Sequence, residues 1–264
     1  MNVDIYLNKV KKGEISIVDY IKSVIKEARV LNKEYNFFNF ISESAIERAE
    51  ELEKSPKGKL AGLPVSVKDC ICVKDMESRA GSLILKGYNP VVSATVIERL
   101  EKEGAIIIGK TSQDEFGFGS FSVNTNNTPK NPFDKNRSCG GSSGGAAGFT
   151  SKTENAHVAI AESTGGSIVC PASFCGVAGL TPTYGVVSRY GLIDYANSLD
   201  KIGVIGKNVR DTKIIFDVIK GKDERDSTSV NAGFKDDKFK RIAVIKETLN
   251  VDKEIRDLVL NKVG

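Results

Sequence analysis

Apolar residues in the first part of the chain recur at the spacing of an α-helix. Between residues 17 and 31 they fall at i, i+4, i+7, i+8, i+11 and i+14, which places them on one face, and Ser16 can act as the N-cap. These positions are Ile17, Ile21, Val24, Ile25, Ala28 and Leu31. A short strand over residues 37–41 and a second helix over residues 45–53 are predicted next.

Strands and helices then alternate in the way that is typical of an α/β protein. Residues 64–72 alternate apolar and polar positions and predict a strand, and residues 94–103 predict a helix. Two uninterrupted apolar runs, residues 105–108 and 156–161, suit strands that are covered on both faces. We therefore expect one α/β domain over residues 1–264, with a mixed β-sheet core covered by helices on both faces.

Two long polar segments interrupt this pattern. Residues 111–148 are rich in Ser, Asn and Gly, and a loop of this length in a compact domain is more often functional than idle. Residues 222–240 are predicted to be a surface linker within the domain. A last strand over residues 240–245 and a last helix over residues 252–263 are predicted to follow it.

Composition narrows the class of protein only a little. The 264 residues include 38 Lys and Arg against 34 Asp and Glu, and 40% are hydrophobic, which is ordinary for a globular chain. A disordered tail, a collagen-like chain and a disulfide miniprotein are excluded, while a net charge of +4 gives no argument for nucleic acid. No segment approaches the roughly 20 apolar residues of a membrane span, and the first residues lack a signal-peptide core. We expect a cytoplasmic protein that does not contact a membrane.

The five cysteines fit a reducing compartment, because their number is odd and no export signal precedes them. Cys70 and Cys72, with Cys170 and Cys175, could in principle hold a metal ion. Neither pair has the usual spacing of a zinc site, so we expect no metal.

Two observations argue against a serine hydrolase with a histidine base. Residues 140–144 match G-x-S-x-G, but the nucleophile elbow needs a preceding strand, and the sequence before this motif predicts none. The single histidine, His157, lies in an apolar run, where a core imidazole with satisfied hydrogen bonds is the simpler interpretation.

Lys68 is the candidate base that remains. An exposed lysine has a pKa of about 10.4 and stays protonated, whereas burial can make a lysine amine a usable base at neutral pH. Lys68 lies in a predicted core strand with Val65 and Val67 on its apolar face. The alternative at this point is an edge strand with the lysine directed to water.

Two glycine- and serine-rich segments could meet this lysine. Residues 140–145 read GGSSGG and residues 164–167 read TGGS. Glycine allows a sharp turn and a close approach to a ligand, and successive backbone amides in such a turn can stabilise a negative oxygen. A flexible linker or a phosphate-binding loop is the alternative, although neither segment carries a nucleotide-binding fingerprint.

Together these residues resemble the amidase signature family, whose fold we therefore expect, and whose catalytic group is a Ser–Ser–Lys triad with one serine next to a cis peptide bond. The resemblance implies that Lys68 is the base, Ser142 the bridging serine and Ser167 the nucleophile. It also implies an oxyanion hole at the backbone amides of Thr164, Gly165, Gly166 and Ser167.

Within the family, residues 109–116, 182–191 and 198–203 resemble the A subunits of glutamine-dependent tRNA amidotransferases. The resemblance implies glutamine hydrolysis that supplies ammonia for the amidation of misacylated Glu-tRNA(Gln) or Asp-tRNA(Asn). It implies amidotransferase subunits B and C as partners, with the tRNA bound mainly by the partner. It implies no cofactor in this chain, since ATP and Mg are expected at the partner.

The sequence departs from the family pattern in three respects. Ser163 and Val169 stand where the family has an aspartate and an arginine, and we infer that these normally pair and were exchanged together. One extra residue falls in the connection between residues 148 and 156. Family chains also continue well beyond residue 264. We therefore expect this sequence to be the N-terminal portion of an amidase domain, without the charged groups that bind the carboxylate and amino group of glutamine. Two alternatives remain: a stand-alone amidase of the same family and a truncated, non-catalytic remnant.

Overall fold

The computed structural model describes residues 1–231, 233 and 243–263. The chain forms two compact units, Met1–Asn231 and Ala232–Gly264. The helices of the first unit are α1 (Val3–Lys11), α2 (Ile17–Tyr35), α3 (Ser44–Lys54), α4 (Thr95–Lys102), α5 (Gly144–Lys152), α6 (Val169–Phe174) and α7 (Val209–Ile219). Its strands are β1 (Phe38–Ile41), β2 (Pro64–Lys68), β3 (Ile106–Thr111), β4 (Val158–Ser163), β5 (Ala178–Leu180) and β6 (Lys201–Gly206).

The strands of the first unit form one mixed sheet in the order β1, β3, β2, β4, β6, β5. Strand β2 is parallel to both of its neighbours, whereas β1 runs antiparallel to β3, and β6 runs antiparallel to β4 and β5. Every residue of β2, β3 and β4 is buried, so both faces of the sheet centre are covered. The predicted mixed α/β architecture is confirmed, and β2 lies at the centre of the sheet rather than at its edge.

Most of the elements predicted from periodicity are present, with shifted ends. The first predicted helix is α2, which continues to Tyr35, and the Ser16 side chain accepts a hydrogen bond from the Asp19 amide at 3.1 Å as its N-cap. Strand β2 ends at Lys68 rather than at residue 72, and β4 begins at Val158 rather than at residue 156. Helix α1, β5, β6, α6 and α7 were not predicted.

The prediction of a loop through residue 148 is wrong at its end, because α5 begins at Gly144. Glycine is a poor helix former, so local propensity gave no signal. A Cβ at Gly145 would lie 2.3 Å from the Phe37 carbonyl oxygen, and one at Gly148 would lie 2.3 Å from the Phe37 ring. The helix therefore packs against the start of β1 so closely that only glycine fits at these positions.

The C-terminal predictions have a mixed outcome. Residues 222–231 of the expected linker lie in the first unit, where Asp226 and Ser229 are buried, and the boundary between the two units falls inside the expected linker. The strand predicted over residues 240–245 is wrong for residues 243–245, which are irregular, and its first three residues lie outside the described part. The last predicted helix is present as α8, Lys253–Val263. None of the described helices is long and apolar enough to cross a lipid bilayer.

His157 is a core residue, as expected. Its Nδ1 lies 3.2 Å from Thr150 Oγ1 and its Nε2 lies 3.0 Å from Ser66 Oγ. The Thr150 hydroxyl donates to the Ala146 carbonyl at 2.8 Å, so Nδ1 carries the proton and Nε2 accepts from Ser66. Burial, with a smaller contribution from the charge of Lys207, lowers the pKa of His157 to about 3.

We predict that His157 makes the fold sensitive to acid. In the unfolded chain the histidine binds a proton with a pKa of about 6.5, whereas in the folded chain it does so only near pH 3. The free energy of unfolding therefore decreases by about 1.4 kcal/mol for each pH unit as the pH is lowered between these two values. The variant His157→Gln should have a shallower pH dependence by this amount in urea unfolding from about pH 7 to about pH 4. Because the chain has a single histidine, the difference between the two slopes reports this residue alone. Parallel curves would contradict the assignment.

Candidate active site

Lys68 is completely buried at the end of β2, and its amine contacts Ser142. The Nζ–Oγ distance is 2.7 Å. Because β2 lies between β3 and β4, the alternative of an edge strand with a solvated lysine is excluded. The structure thus brings together two of the three residues that the sequence predicted as a triad.

The polar loop that precedes α5 folds over this pair and is held by Asp114. The Asp114 carboxylate accepts hydrogen bonds from the amides of Ser122 at 2.9 Å and Asn124 at 3.0 Å. A Cβ at Gly141 would lie 2.4 Å from Asp114 Oδ2, so this position requires glycine. The peptide bond between Gly141 and Ser142 is cis. The loop that composition indicated as functional therefore has a defined fold, and it positions Ser142 at the lysine.

A carboxylate that was not predicted from the sequence completes the surroundings of the lysine. Glu162 Oε2 lies 2.8 Å from Lys68 Nζ, and the Glu162 carbonyl oxygen lies 3.1 Å from it. The Glu162 side chain is only 4% exposed. One sequence signal could have identified it, because Glu162 is the one charged residue in the apolar strand β4.

Hydrogen bonds of Thr164 hold the turn after β4 in place. Its hydroxyl lies 2.7 Å from Asp200 Oδ1 and 3.2 Å from Glu162 Oε1, and its carbonyl accepts from Lys201 Nζ at 2.8 Å. Asp200 is itself buried and accepts from the amides of Tyr195 and Ala196. A chain of polar contacts therefore connects the lysine to the start of β6.

Ser167, the predicted nucleophile, is half-buried beside this group. Its carbonyl oxygen accepts from the Ser143 amide at 3.2 Å, which ties the turn to the residue after Ser142. Its hydroxyl makes no hydrogen bond with any described residue. The third member of the predicted triad is thus tied by its backbone to the residue after Ser142, and its hydroxyl has no hydrogen-bond partner among the described residues.

The predicted oxyanion hole has unused donors. The amides of Thr164, Gly165, Gly166 and Ser167 donate no hydrogen bond within the described residues. Both glycines are exposed, and a Cβ at Gly165 would meet nothing within 4 Å. Such amides are suited to bind a negative oxygen, so the assignment of this turn stays a supported prediction.

The departures at residues 163 and 169 are both accommodated. The Ser163 hydroxyl donates to the Gly165 carbonyl at 2.9 Å, and Val169 is 47% exposed at the start of α6. A charge at the buried position 163 would need a partner, whereas the serine hydroxyl is satisfied within its own turn.

All five cysteines are free thiols. In residues 1–231, 233 and 243–263, no group of three or more His, Cys, Asp or Glu side chains is placed to hold a metal ion.

The fold and the site define an α/β protein with a buried lysine–serine pair beside a glycine-rich turn, an arrangement suited to acyl transfer by a serine without a histidine. The model of the family described as Amidase matches residues 19–264. The chain belongs to this amidase family.

Relatives within the family share much of the sequence. The chain is 47% identical over 211 residues to the A subunit of glutamyl-tRNA(Gln) amidotransferase from Methanosarcina mazei, a match that covers 79% of this chain and 43% of that protein. It is 41% identical over 263 residues to the protein of the same name from Natranaerobius thermophilus, covering 96% of this chain and 53% of that protein. The chain thus spans about half the length of these relatives.

Solved structures of amidase-family proteins also superpose on this chain. The crystal structure of the glutamyl-tRNA(Gln) amidotransferase A subunit from Thermotoga maritima superposes with a TM-score of 0.79 at 35% identity, over 88% of this chain and 49% of that one. The native peptide amidase of Stenotrophomonas maltophilia superposes with a TM-score of 0.82 at 30% identity, over 87% of this chain and 50% of that one. The amidase-signature fold is therefore confirmed.

We predict that Lys68 and Glu162 stabilise the fold only as a pair. The variant Lys68→Met leaves a buried carboxylate without its partner, which should lower the free energy of unfolding by about 3–5 kcal/mol. Adding Glu162→Gln removes the unpaired charge and should recover part of this loss. Urea unfolding of the single and double variants measures both effects. Lys102→Met, at an exposed lysine, is the control and should change stability by no more than about 0.5 kcal/mol. A double variant less stable than Lys68→Met would contradict the pairing.

Proposed function

We propose that this chain is the glutamine-hydrolysing part of a tRNA-dependent amidotransferase, and that it supplies ammonia for the amidation of misacylated Glu-tRNA(Gln) or Asp-tRNA(Asn). The observation that carries the proposal is the contact between Lys68 and Ser142 beside the turn that holds Ser167. Similarity to A subunits over most of this chain supports the choice of reaction.

The proposed chemistry uses the three side chains that the family resemblance assigns to the triad. Lys68, in its amine form, accepts the proton of Ser142, and Ser142 accepts the proton of Ser167. The Ser167 oxygen then forms a bond to the side-chain carbonyl carbon of glutamine. When the carbon–nitrogen bond breaks, Ser142 donates a proton to the departing nitrogen, which leaves as ammonia, and the Lys68 ammonium returns a proton to Ser142. Water then hydrolyses the ester between the glutamyl group and Ser167.

The turn after β4 is proposed to stabilise the negative oxygen that develops on the attacked carbonyl. Its amides donate no hydrogen bond within the described residues. The contacts of Thr164 with Asp200 and Lys201 hold the turn in place, so that its amides need not reorganise during the reaction. The open space at Gly165 leaves room for a substrate to approach them.

The proposed complex is cytoplasmic and includes amidotransferase subunits B and C. The misacylated tRNA is held mainly by the partner, where ATP and Mg are used, and this chain needs no cofactor of its own. The mild net charge of +4 supports this division, because a chain that bound tRNA directly would be expected to carry a strong basic surface.

A second candidate is a stand-alone amidase that acts on a small amide without partners. The similarity of the fold to a peptide amidase favours it. Addition of subunits B and C separates the two, since hydrolysis by a member of an amidotransferase complex should rise with them and hydrolysis by a stand-alone amidase should not.

A third candidate is a non-catalytic remnant, which shares the similarity to these relatives but hydrolyses no amide. A remnant would retain the fold but show no activated serine. Reaction with a fluorophosphonate, which forms a bond between a serine oxygen and phosphorus and releases fluoride, tests for such a serine without requiring a bound amide.

We predict that Ser167→Ala and Ser142→Ala each lower glutamine hydrolysis by at least about 100-fold, because each removes one step of the proton relay. Ammonia release in the presence of the B and C subunits is the measurement. Ser173→Ala is the matched control, because Ser173 is exposed on α6, six residues from Ser167, and it should retain full activity. Residual hydrolysis by Ser167→Ala equal to that of the unchanged chain would instead support the remnant.

A further inference from the structure

Three acceptors surround the amine of Lys68, one for each proton of an ammonium group. They are Ser142 Oγ at 2.7 Å, Glu162 Oε2 at 2.8 Å and the Glu162 carbonyl oxygen at 3.1 Å. A neutral amine has only two protons to donate, so one of these three partners would then have to act as the donor. The carboxylate and the carbonyl cannot donate, which leaves the Ser142 hydroxyl.

The charge of Glu162 is balanced almost entirely by the lysine. Its other oxygen faces the Thr164 hydroxyl at 3.2 Å, but that hydroxyl has a single proton and lies closer to Asp200, at 2.7 Å. Within the described residues Glu162 therefore has one strong donor, which is Lys68. A carboxylate at this distance in a buried setting favours the charged form of its partner.

A second buried lysine provides an internal comparison. Lys110 Nζ contacts the Ile71 carbonyl at 2.5 Å and the Ser78 hydroxyl at 2.6 Å, and no carboxylate of the described residues forms an ion pair with it. Burial lowers the pKa of Lys110, with the charge of Asp69 acting in the opposite direction. Both lysines are fully buried, and among the described residues only Lys68 has a carboxylate in direct contact.

The other charged and titratable groups near Lys68 lie on several elements. They are Asp69 and Cys70 after β2, Lys110 on β3, Asp114 in the loop over Ser142, and Asp200 behind Thr164. The carboxylate of Asp69 is occupied by Asn39 and the amide of Gly81, and that of Asp114 by two loop amides. Only Glu162 forms an ion pair with Lys68 among the described residues.

We propose that Glu162 is a positioning residue that holds Lys68 as an ammonium ion donating to Ser142, so that the serine relay operates only when the pH is high enough to remove this proton. This inference rests on the proposed amide hydrolysis at the same site. In the ammonium state the lysine has no free electron pair for the Ser142 proton, and the relay cannot accept the proton of Ser167. Loss of one proton reverses the Lys68–Ser142 hydrogen bond and makes the relay competent.

The variant Glu162→Gln tests this directly, since glutamine keeps the size and an acceptor but removes the charge. The pH at which the rate of fluorophosphonate labelling of Ser167 reaches half its maximum should fall by about 1–3 units. The labelling rate below the wild-type midpoint should therefore rise at least about tenfold, while the plateau at high pH stays within about twofold. A role in folding alone would lower the rate equally at every pH.

Asp211→Asn is the matched control. Asp211 is also buried, and it accepts from the Val3 amide at 3.2 Å, but it makes no contact with the catalytic group. Its replacement should leave the midpoint of the pH profile unchanged. A Glu162→Gln midpoint that is unchanged, or moves to higher pH, would overturn the proposal.

A second measurement does not require any reaction. In protein labelled with 15N-lysine, the side-chain signal that disappears in Lys68→Met reports whether this residue is an ammonium or an amine at each pH. An ammonium in the wild-type protein at about pH 8, which loses its proton at lower pH in Glu162→Gln, supports the proposal. An amine in the wild-type protein at that pH overturns it, and this result decides the matter even if the variant does not fold. The expected NMR change without any labelling of Ser167 would show that Glu162 holds Lys68 as an ammonium ion while the proposed function fails.

Discussion

The burial of Lys68 at the end of a central strand is the constraint on which the candidate site depends. A cationic side chain in a closed core must have acceptors for its protons, because an unpaired ammonium there would cost several kcal/mol. The chain supplies them from two separate elements: Ser142 from the loop before α5, and Glu162 from β4. The hydrogen bonds of Lys68 therefore bring together segments that lie 74 and 94 residues from it in the sequence.

The rest of the site follows from how those two segments are held. The Asp114 carboxylate accepts hydrogen bonds from two loop amides and lies against Gly141. If the loop moved away from the lysine, this buried carboxylate would lose its hydrogen bonds. Asp200 and Lys201 fix Thr164 on the other side. The turn at residues 164–167 is consequently held through Thr164, while its amides donate no hydrogen bond within the described part of the chain.

Much of the fold could be predicted, because the spacing of apolar residues in the sequence shows which face of a helix or strand is buried. Helix α2 and strands β3 and β4 were found from apolar patterns of this kind or from continuous apolar runs. Helix α5 could not be predicted, because its glycines are poor helix formers, and only the close approach to Phe37 explains them. Strand β5 was not predicted either, because it is only three residues long and lies half-buried at the edge of the sheet. Such a strand shows little alternation of apolar and polar residues.

The sequence by itself determined which chemistry was available. One histidine in an apolar run removed the histidine-dependent hydrolases, and a lysine in a core strand with two glycine–serine segments indicated the alternative. Only the tertiary structure placed a carboxylate against this lysine. Periodicity reports burial, and burial alone argued for a neutral amine at Lys68. The charge of a buried group, however, depends on what it touches, and the carboxylate of Glu162 is brought to the amine by the pairing of β2 with β4.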